Sequence, residues 1–325
     1  MKLALIGLAC MAAATAGIAI GSTPEMPPQD SETIESDRTV DNRVTIPVSV
    51  DGRGPFDFIV DTGAERTVIS RELADTLELH ASDDVWLTTI LNVEQVPTVI
   101  IPSLGAGRRT VDDIQAPALA RTDLGAAGVL GIDALEDQQV LFDFEQDRMT
   151  FSQARIEESD WSGGDVIVVR ARQRSGRLVL ARANVEGTRI HAIVDTGSAV
   201  TIGNNALRER LIRRGRMNPA QFFTITSVTG STMDINYAFV DELRIGGVRL
   251  NNVPIAFADT ELFRQLDLVD RPAVLLGMNA LRVFDRVLID FANRRLRLQL
   301  PTGGPPGNSD MPMLAELVSE TPSAD

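Results

Sequence analysis

The sequence is poor in the residues that build most metal and nucleophile sites. Its 325 residues include one cysteine, Cys10, and two histidines, His80 and His191. One cysteine excludes a disulfide framework and a cysteine-based zinc site, and two histidines are too few for a histidine-rich metal site. No serine–histidine nucleophile motif and no glycine-rich phosphate-binding loop is recognisable. We therefore expect that the protein uses neither a metal nor a cofactor.

Positive charge is also scarce relative to negative charge. The chain has 31 Lys and Arg against 45 Asp and Glu, a net charge of −14 and a pI of about 4.7. Nucleic acid is therefore not an expected partner, since binding phosphates needs clustered basic side chains. Apolar residues make up 44% of the 325 residues, enough to form the cores of two domains of ordinary size.

Long apolar runs are limited to the N-terminus. Met1 and Lys2 precede the apolar residues 3–14, and residues 14–16 (Ala-Thr-Ala) resemble a signal-peptidase site. This pattern predicts a signal peptide over residues 1–20. An uncleaved anchor is the alternative, because the apolar character continues close to membrane-spanning length. Either alternative predicts an exported protein, periplasmic or secreted, and the second would hold it at the membrane.

One motif occurs twice and organises the rest of the chain. Residues 58–64 read FIVDTGA, and residues 192–198 read AIVDTGS. Each copy is an apolar strand that ends in Asp-Thr-Gly and a small residue. The two aspartates, Asp61 and Asp195, are 134 residues apart.

The duplication extends beyond this motif. Two further segments recur in the same order after each copy: an apolar strand that contains glycine, and the first strand of a hairpin. They are residues 128–135 with 273–281, and residues 139–144 with 286–291. Many short strands with hairpin turns and only brief helices predict an all-β class, mostly β with short helices. We expect two homologous closed barrels or sandwiches related by a pseudo-two-fold axis.

Segments without periodicity suggest the domain boundaries, because polar, proline-containing or glycine-rich stretches are typical of linkers and tails. The expected organisation is a signal peptide or anchor (residues 1–20), a disordered linker (21–40), an N-terminal half (41–155), a second linker (156–165), a C-terminal half (166–300) and a disordered tail (301–325). Two halves in one chain predict a monomer with an internal pseudo-dimer.

Local patterns give three more predictions. Residues 70–77 predict a short helix capped by Ser70, and residues 205–213 predict a second helix. Residues 84–118 predict several short strands. Trp86 and Trp161 are interpreted as core or linker packing rather than as cleft residues.

The two aspartates predict one shared acid–base site. A single buried aspartate is costly, but two that face each other at hydrogen-bonding range share one proton and titrate as a unit. One can then take a proton from a bound water while the other donates a proton to a carbonyl oxygen, which hydrolyses an amide without a covalent intermediate. The alternative interpretation is that each aspartate only caps a turn after its strand.

The residues beside the aspartates suit such a site. Gly63 and Gly197 permit a tight turn and close backbone approach. Thr62 and Thr196 can hydrogen-bond across the axis and hold the two loops together.

The two copies differ at the position after glycine. Ser198 can donate a hydrogen bond to the outer oxygen of Asp195, whereas Ala64 cannot do so for Asp61. The two carboxylates are therefore expected to differ slightly in pKa.

At these residues the sequence resembles the retropepsin-like aspartic proteases, duplicated in one chain as in the pepsins. The family pattern is an apolar strand, then Asp-Thr/Ser-Gly-Ala/Ser, then a later apolar-apolar-Gly segment. Residues 61–64 with Gly131, and residues 195–198 with Gly277, fit it. The resemblance covers roughly residues 40–300, and two ordered copies make it specific.

The resemblance implies an acid-protease fold, with Asp61 and Asp195 as the catalytic pair of an aspartic endopeptidase. It also implies a peptide or protein substrate bound extended between the halves, and a hairpin flap that closes over it. Residues 228–232 are a candidate flap tip in the second half, and residues 91–94 are a poorer candidate in the first. The sequence leaves the number of flaps open.

Three functions are compatible with the sequence. The first is an active exported aspartic endopeptidase. The second is a catalytically silent peptide-binding module of the same fold in the cell envelope, against which the presence of both aspartates argues. The third is a structural envelope protein whose repeats serve assembly, which gives no reason for paired motifs at equivalent strand ends.

Overall fold

The computed structural model describes residues 31–39, 43–107, 109–135, 138–152, 161, 165–174, 177–217 and 221–302. The predicted signal peptide, most of the predicted second linker and most of the predicted tail lie outside the described residues. The fold is mostly β, with two halves that repeat one order of elements, as predicted.

The first half spans residues 31–152 and contains the first Asp-Thr-Gly motif. Its elements are β1 (Ser31–Glu35), β2 (Asp37–Arg38), β3 (Val44–Val50), β4 (Arg53–Val60), β5 (Val68–Ser70), α1 (Arg71–Thr76), β6 (Ala81–Thr88), β7 (Val93–Ala106), β8 (Arg109–Leu119), α2 (Arg121–Leu124), β9 (Gly128–Leu130), α3 (Ile132–Leu135), β10 (Gln139–Asp143) and β11 (Arg148–Ser152).

The second half repeats this order of elements. They are β12 (Val166–Arg174), β13 (Arg177–Val185), β14 (Thr188–Val194), β15 (Thr201–Gly203), α4 (Asn205–Arg213), β16 (Gln221–Thr226), β17 (Thr232–Ile245), β18 (Val248–Phe257), α5 (Glu261–Gln265), β19 (Ala273–Leu276), α6 (Met278–Leu281), β20 (Arg286–Asp290) and β21 (Arg295–Gln299).

Each half contains a closed ring of six strands. In the first half the ring runs β3-β4-β9-β5-β8-β7 and closes by the pairing of β7 with β3. In the second half it runs β13-β14-β19-β15-β18-β17 and closes on β13. The rings enclose fully buried apolar side chains such as Ile46 and Phe58 in the first half, and Ala192 and Ile255 in the second. Burial of this apolar surface is the main favourable term for each barrel.

A shared antiparallel sheet joins the two halves. Its order is β1-β11-β10-β20-β21-β12, and β10 pairs directly with β20. Arg286 donates to Asp143 across this junction at 2.8 Å, and both side chains are largely buried. The pairing fixes the halves relative to each other, and so fixes where their equivalent strand ends meet.

The N-terminal segment differs from its prediction. Residues 31–38, predicted as part of a disordered linker, form β1 and β2, which pair with β11 and β3. Their sequence shows no strand periodicity because the backbone partners come from the edges of sheets formed by distant residues.

The helix predictions are confirmed, and the strand prediction for residues 84–118 is wrong in length. Ser70 caps α1 by accepting from Leu73 N at 3.2 Å. In place of several short strands, the long strands β7 and β8 are continuous. Both β7 prolines lie at irregular positions: Pro97 lies opposite a register shift in β6, and Pro102 lies opposite Asp113, which has a φ of 55°. Proline is tolerated at such irregular positions.

Within the described residues, no helix combines the length and apolar character that crossing a membrane requires.

Candidate active site

Equivalent strands deliver the two predicted aspartates to the boundary between the halves. β4 ends at Val60 and β14 ends at Val194, so Asp61 and Asp195 are the first residues after each strand. Each is held by the glycine-containing segment beside it. Asp61 N donates to Leu130 O at 3.0 Å, and Asp195 N donates to Leu276 O at 3.1 Å.

The threonines that follow the aspartates bind each half to the other. Thr62 N donates to Thr196 Oγ1 at 3.0 Å, and Thr196 N donates to Thr62 Oγ1 at 3.2 Å. The hydroxyl groups donate in turn across the axis, Thr62 to Val194 O at 3.1 Å and Thr196 to Val60 O at 2.8 Å. Both threonines are buried, so this interlock fixes the two loops in one relative position.

The glycines let each loop approach the carboxylate of the other. A Cβ built on Gly63 would lie 2.6 Å from Asp195 Oδ1, and a Cβ on Gly197 would overlap the Asp61 carboxylate. Besides burial, the charge of Asp61 and a hydrogen bond to it raise the pKa of Asp195, so the two carboxyl groups lie within hydrogen-bonding reach of each other. The structure therefore brings Asp61 and Asp195, predicted from sequence as a pair, into direct contact.

Burial and mutual repulsion shift the acidity of this pair. Burial, followed by the charge of Asp61, raises the pKa of Asp195 to about 8. Burial also raises the pKa of Asp61, although hydrogen bonds from Gly63 N and Ala64 N lower it in part. From the described residues Asp195 accepts one such bond, from Gly197 N at 3.1 Å. The pair therefore holds a proton at neutral pH, and Asp195 is the better site for it.

The predicted role of Ser198 is wrong. Its hydroxyl donates to Val200 O at 2.7 Å and not to Asp195. The two-residue spacing allows the hydroxyl to satisfy a carbonyl of its own loop. The predicted difference between the carboxylates instead follows from their backbone donors and from neighbouring arginines.

We expect Ser198→Ala to leave peptide cleavage within about twofold of wild type, because the hydrogen bonds of Asp195 stay intact. Loss of the bond to Val200 O should lower the free energy of unfolding by about 1 kcal/mol. Steady-state kinetics and urea unfolding measure the two effects. A tenfold or larger drop in kcat with a shifted pH profile would instead indicate direct contact with the dyad.

Two arginines that sequence reasoning missed flank the dyad. Arg177 is 5% exposed. It donates to Gly63 O at 2.9 Å and forms an ion pair with Glu65 at 2.8 Å. Its charge lowers the pKa of both aspartates against the effect of burial. Arg43 donates to Leu124 O at 2.8 Å, and its charge lowers the pKa of Asp61.

A signal for these arginines was present in the repeat. Each arginine precedes its aspartate by 18 residues. The two arginines differ in the residue available across the axis. Arg177 forms an ion pair with Glu65, whereas the counterpart of Glu65 in the second half, 134 residues later, is Ala199, which carries no charge. Arg177 reaches across to the loop of the other half, where it contacts Gly63 O and Glu65.

A second set of residues, also not predicted from the sequence, connects each Asp-Thr-Gly loop to the neighbouring glycine-containing segment. Thr67 donates to Asp133 at 2.7 Å, and Thr201 donates to Asn279 at 2.7 Å. Each threonine also accepts from the glycine N–H of the segment beneath it at 3.2 Å. The threonine six residues after each aspartate was the available signal.

Two hairpin tips cross the boundary between the halves. The first joins β6 to β7 (residues 89–92), and the second joins β16 to β17 (residues 227–231). They meet where Asn92 Nδ2 donates to Ser231 Oγ at 3.2 Å. Ile90 packs on the apolar cluster of the second half, and Val228 packs on that of the first. Each tip thus rests on the half opposite to its own.

The remaining predicted residues lie outside this cluster. Trp161 packs on Leu141 and Leu288, as predicted, but the core-packing interpretation of Trp86 is wrong, since it is 72% exposed on the outer face of β6. Inward positions of that hairpin are taken by Val85 and Leu87. In the described part of the chain, no group of three or more His, Cys, Asp and Glu side chains is arranged to hold a metal ion.

Two family models match the chain. Residues 46–137 match a model described as gag-polyprotein putative aspartyl protease. Residues 181–280 match a model described as aspartyl protease. The matched segments do not overlap, and each contains one Asp-Thr-Gly loop together with its glycine-containing segment. Among curated proteins, no match was found.

Proposed function

Because the chain belongs to the aspartyl proteases, with two retropepsin-like domains in tandem, we propose that it is an aspartic endopeptidase. The observation that carries this proposal is the contact between two carboxyl groups whose pKa values are both raised, one of them to about 8. Such a pair keeps one proton over a wide pH range and offers an acid and a base together.

We assign the base to Asp61 and the acid to Asp195. Asp61 accepts two backbone N–H bonds and is near two arginines, which favours its charged form. Asp61 takes a proton from water as the water oxygen bonds to the substrate carbonyl carbon, and Asp195 gives its proton to the carbonyl oxygen. Asp61 then gives its proton to the nitrogen as the C–N bond of the tetrahedral diol breaks, and Asp195 takes a proton back from a diol hydroxyl, which leaves a carboxylic acid, an amine and the pair in its starting state.

The substrate in this proposal is an extended peptide that lies between the halves, under the tips of the two hairpins. Peptide strands bind in such clefts through backbone hydrogen bonds, while pockets select side chains. The tips serve as two flaps, because each spans the boundary and packs on the opposite half. Their opening would admit substrate.

We further propose that the protein works as an exported monomer. The N-terminal sequence pattern supports export, by a cleaved signal or through an anchor. The shared sheet supports the monomer, because it already joins two halves within one chain.

The test is to incubate the full chain with unfolded casein from pH 3 to pH 9. We expect cleavage that a statine-type transition-state analogue inhibits, that EDTA and thiol reagents leave unchanged, and that falls as pH rises through about 8, where Asp195 loses its proton. Abolition by EDTA would contradict the proposal. Tight binding of the analogue without any cleavage would instead indicate the silent peptide-binding module.

A further inference from the structure

The two halves carry opposite charge. Residues 43–152 contain 8 arginines against 19 Asp and Glu, whereas residues 166–302 contain 20 arginines against 12 Asp and Glu. The acidic total of the chain therefore hides a strongly basic second half. A peptide that lies across the boundary between the halves meets fields of opposite sign at its two ends.

Part of this positive charge is concentrated on one sheet face of the second half. Arg172 lies opposite Val179, and Val179 lies opposite Ile193. Residues directly opposite on neighbouring strands share a face, as do alternate residues along one strand. Arg172 and Arg174 of β12 therefore share the face on which His191 of β14 lies.

Two more arginines complete the group around His191. Burial lowers the pKa of His191, and the charges of Arg271, Arg174, Arg189 and Arg172 lower it further, so all four lie within electrostatic reach of this side chain. Arg172, Arg189 and Arg271 are exposed. We name these four residues the arginine cluster.

The neighbouring carboxylates leave the arginine cluster largely uncompensated. Arg174 pairs with Asp267 at 3.8 Å, but the two side chains are 41% and 83% exposed. Exposed ion pairs of this kind are weak. Asp270, next to Arg271, is also exposed. Two exposed carboxylates thus accompany four arginines.

The arginine cluster begins at the candidate active site. Arg174 lies opposite Arg177, which binds the backbone of the first Asp-Thr-Gly loop. His191 precedes Asp195 by four residues on the same strand, a span of about 13 Å. An extended peptide covers this distance in about four residues, so side chains three to five positions from the scissile bond come within reach.

Among its described residues, the first half offers no comparable group. The residue 134 positions before His191 is Asp57, which is exposed, and the one before Arg189 is Pro55. Arg38, the counterpart of Arg172, forms an ion pair with Asp147. Pseudo-symmetry relates the two sides of the cleft in backbone but not in charge.

We propose that the arginine cluster binds acidic side chains of the peptide substrate, three to five residues from the scissile bond, on the side that leaves the cleft over the second half. This inference rests on the proposed endopeptidase function. It names acidic-flanked peptides as the preferred substrates. It also gives a pseudo-symmetric cleft a reason to bind a peptide in one direction only, because reversal would place the acidic residues over the acidic half.

The test uses three peptides with one common cleavable core. One carries three glutamates three to five residues N-terminal to the scissile bond, one carries them at the same distance C-terminal to it, and one carries glutamines at both ends. We expect one glutamate peptide alone to show a kcat/KM about tenfold above the glutamine peptide at low ionic strength, mainly through KM. The advantage should vanish at about 0.5 M salt.

Variants that replace arginine with glutamine test whether the arginine cluster causes the preference for the glutamate peptide. Arg172→Gln combined with Arg174→Gln and Arg271→Gln should remove the advantage and leave cleavage of the glutamine peptide unchanged. The matched control removes the same charge from the region of α4, which packs on the opposite sheet face: Arg210→Gln, Arg213→Gln and Arg216→Gln. Equal rates for all three peptides in wild type, or an advantage that survives the first triple variant, would overturn the proposal.

Peptide-binding measurements test the arginine cluster independently of the proposed endopeptidase activity. Fluorescence anisotropy of labelled glutamate and glutamine peptides on the full-length Asp195→Asn variant reports the arginine cluster without turnover. We expect about tenfold tighter binding of one glutamate peptide, lost on adding the three substitutions. If wild type cleaves no peptide but this preference holds, the endopeptidase proposal fails and the arginine cluster stands. Equal binding of all peptides overturns the arginine cluster even if cleavage occurs.

Discussion

Asp61→Asn and Asp195→Asn are each expected to lower kcat for peptide cleavage by about 10³-fold, with little change in KM. The amide keeps the size of the carboxyl group and can occupy the same loop. It can neither take a proton from water nor give one to a carbonyl oxygen. Because each aspartate performs one of these steps, losing either should disable both.

The double variant should be no worse than the single ones. Groups that act as one unit give strongly non-additive losses, and the hydrogen bond between the two carboxyl groups makes them one unit. Binding of a statine-type analogue, measured by calorimetry, should weaken in all three variants while the cooperative unfolding transition is retained.

A matched carboxylate on the same strand provides the control. Asp57 is exposed and precedes Asp61 by four residues, so Asp57→Asn removes a charge from β4 without touching the dyad. Its kcat should stay within about twofold of wild type. If Asp195→Asn cleaved peptides at a rate near that of Asp57→Asn, the assignment of the dyad would be wrong.

The loops could be predicted from sequence because their structure is locally encoded and encoded twice. An apolar strand that ends in Asp-Thr-Gly specifies a strand, a tight turn and a carboxylate within seven residues. The duplication then implies the axis that brings the copies together. The helix over residues 205–213 was predicted with its observed bounds, because the signals that start and stop a helix are also local.

The contact between Thr62 and Thr196 could be predicted because both residues lie in the repeated motif. Other contacts across the axis could not be predicted in this way. Arg177 binds the loop of the other half, and Asn92 meets Ser231 at the hairpin tips. Neither pair has a local pattern, because the partners are brought together only when β10 and β20 join the halves. Ser198 shows the converse error. Its position beside Asp195 suggested an interaction that a carbonyl two residues away outcompetes.

Asp195→Asn is expected to stabilise the folded protein at neutral pH while it abolishes cleavage. The folded-state pKa of Asp195 is about 8 and the ordinary value is 3.8. A carboxyl group with a raised pKa contributes its full share of stability below about pH 4, and this share is lost as pH rises toward 8. At pH 7 the unfolded chain carries Asp195 as a hydrated carboxylate. The folded chain must either take up a proton at Asp195 or bury the charged carboxylate, and both cost free energy.

Asparagine does not titrate and therefore avoids this penalty. We expect its free energy of unfolding to exceed that of wild type by on the order of 2–4 kcal/mol at pH 7. The difference should shrink to less than about 1 kcal/mol at pH 4, because this pH is close to the ordinary pKa of 3.8 and a large fraction of the unfolded chains then also carry a protonated Asp195. Urea unfolding of wild type, Asp195→Asn and the exposed-site control Asp57→Asn at pH 4, 5.5 and 7 measures this trend.

The sign of this pH dependence of stability makes the prediction specific to a pair of carboxyl groups with raised pKa values. A carboxylate stabilised by ion pairs in the folded state would show the reverse, with asparagine destabilising more as pH rises. A pH-independent difference would mean that Asp195 has the same pKa in the folded and unfolded chain. In that case the two carboxyl groups would not share a proton, and the acid–base assignment would lose its physical basis.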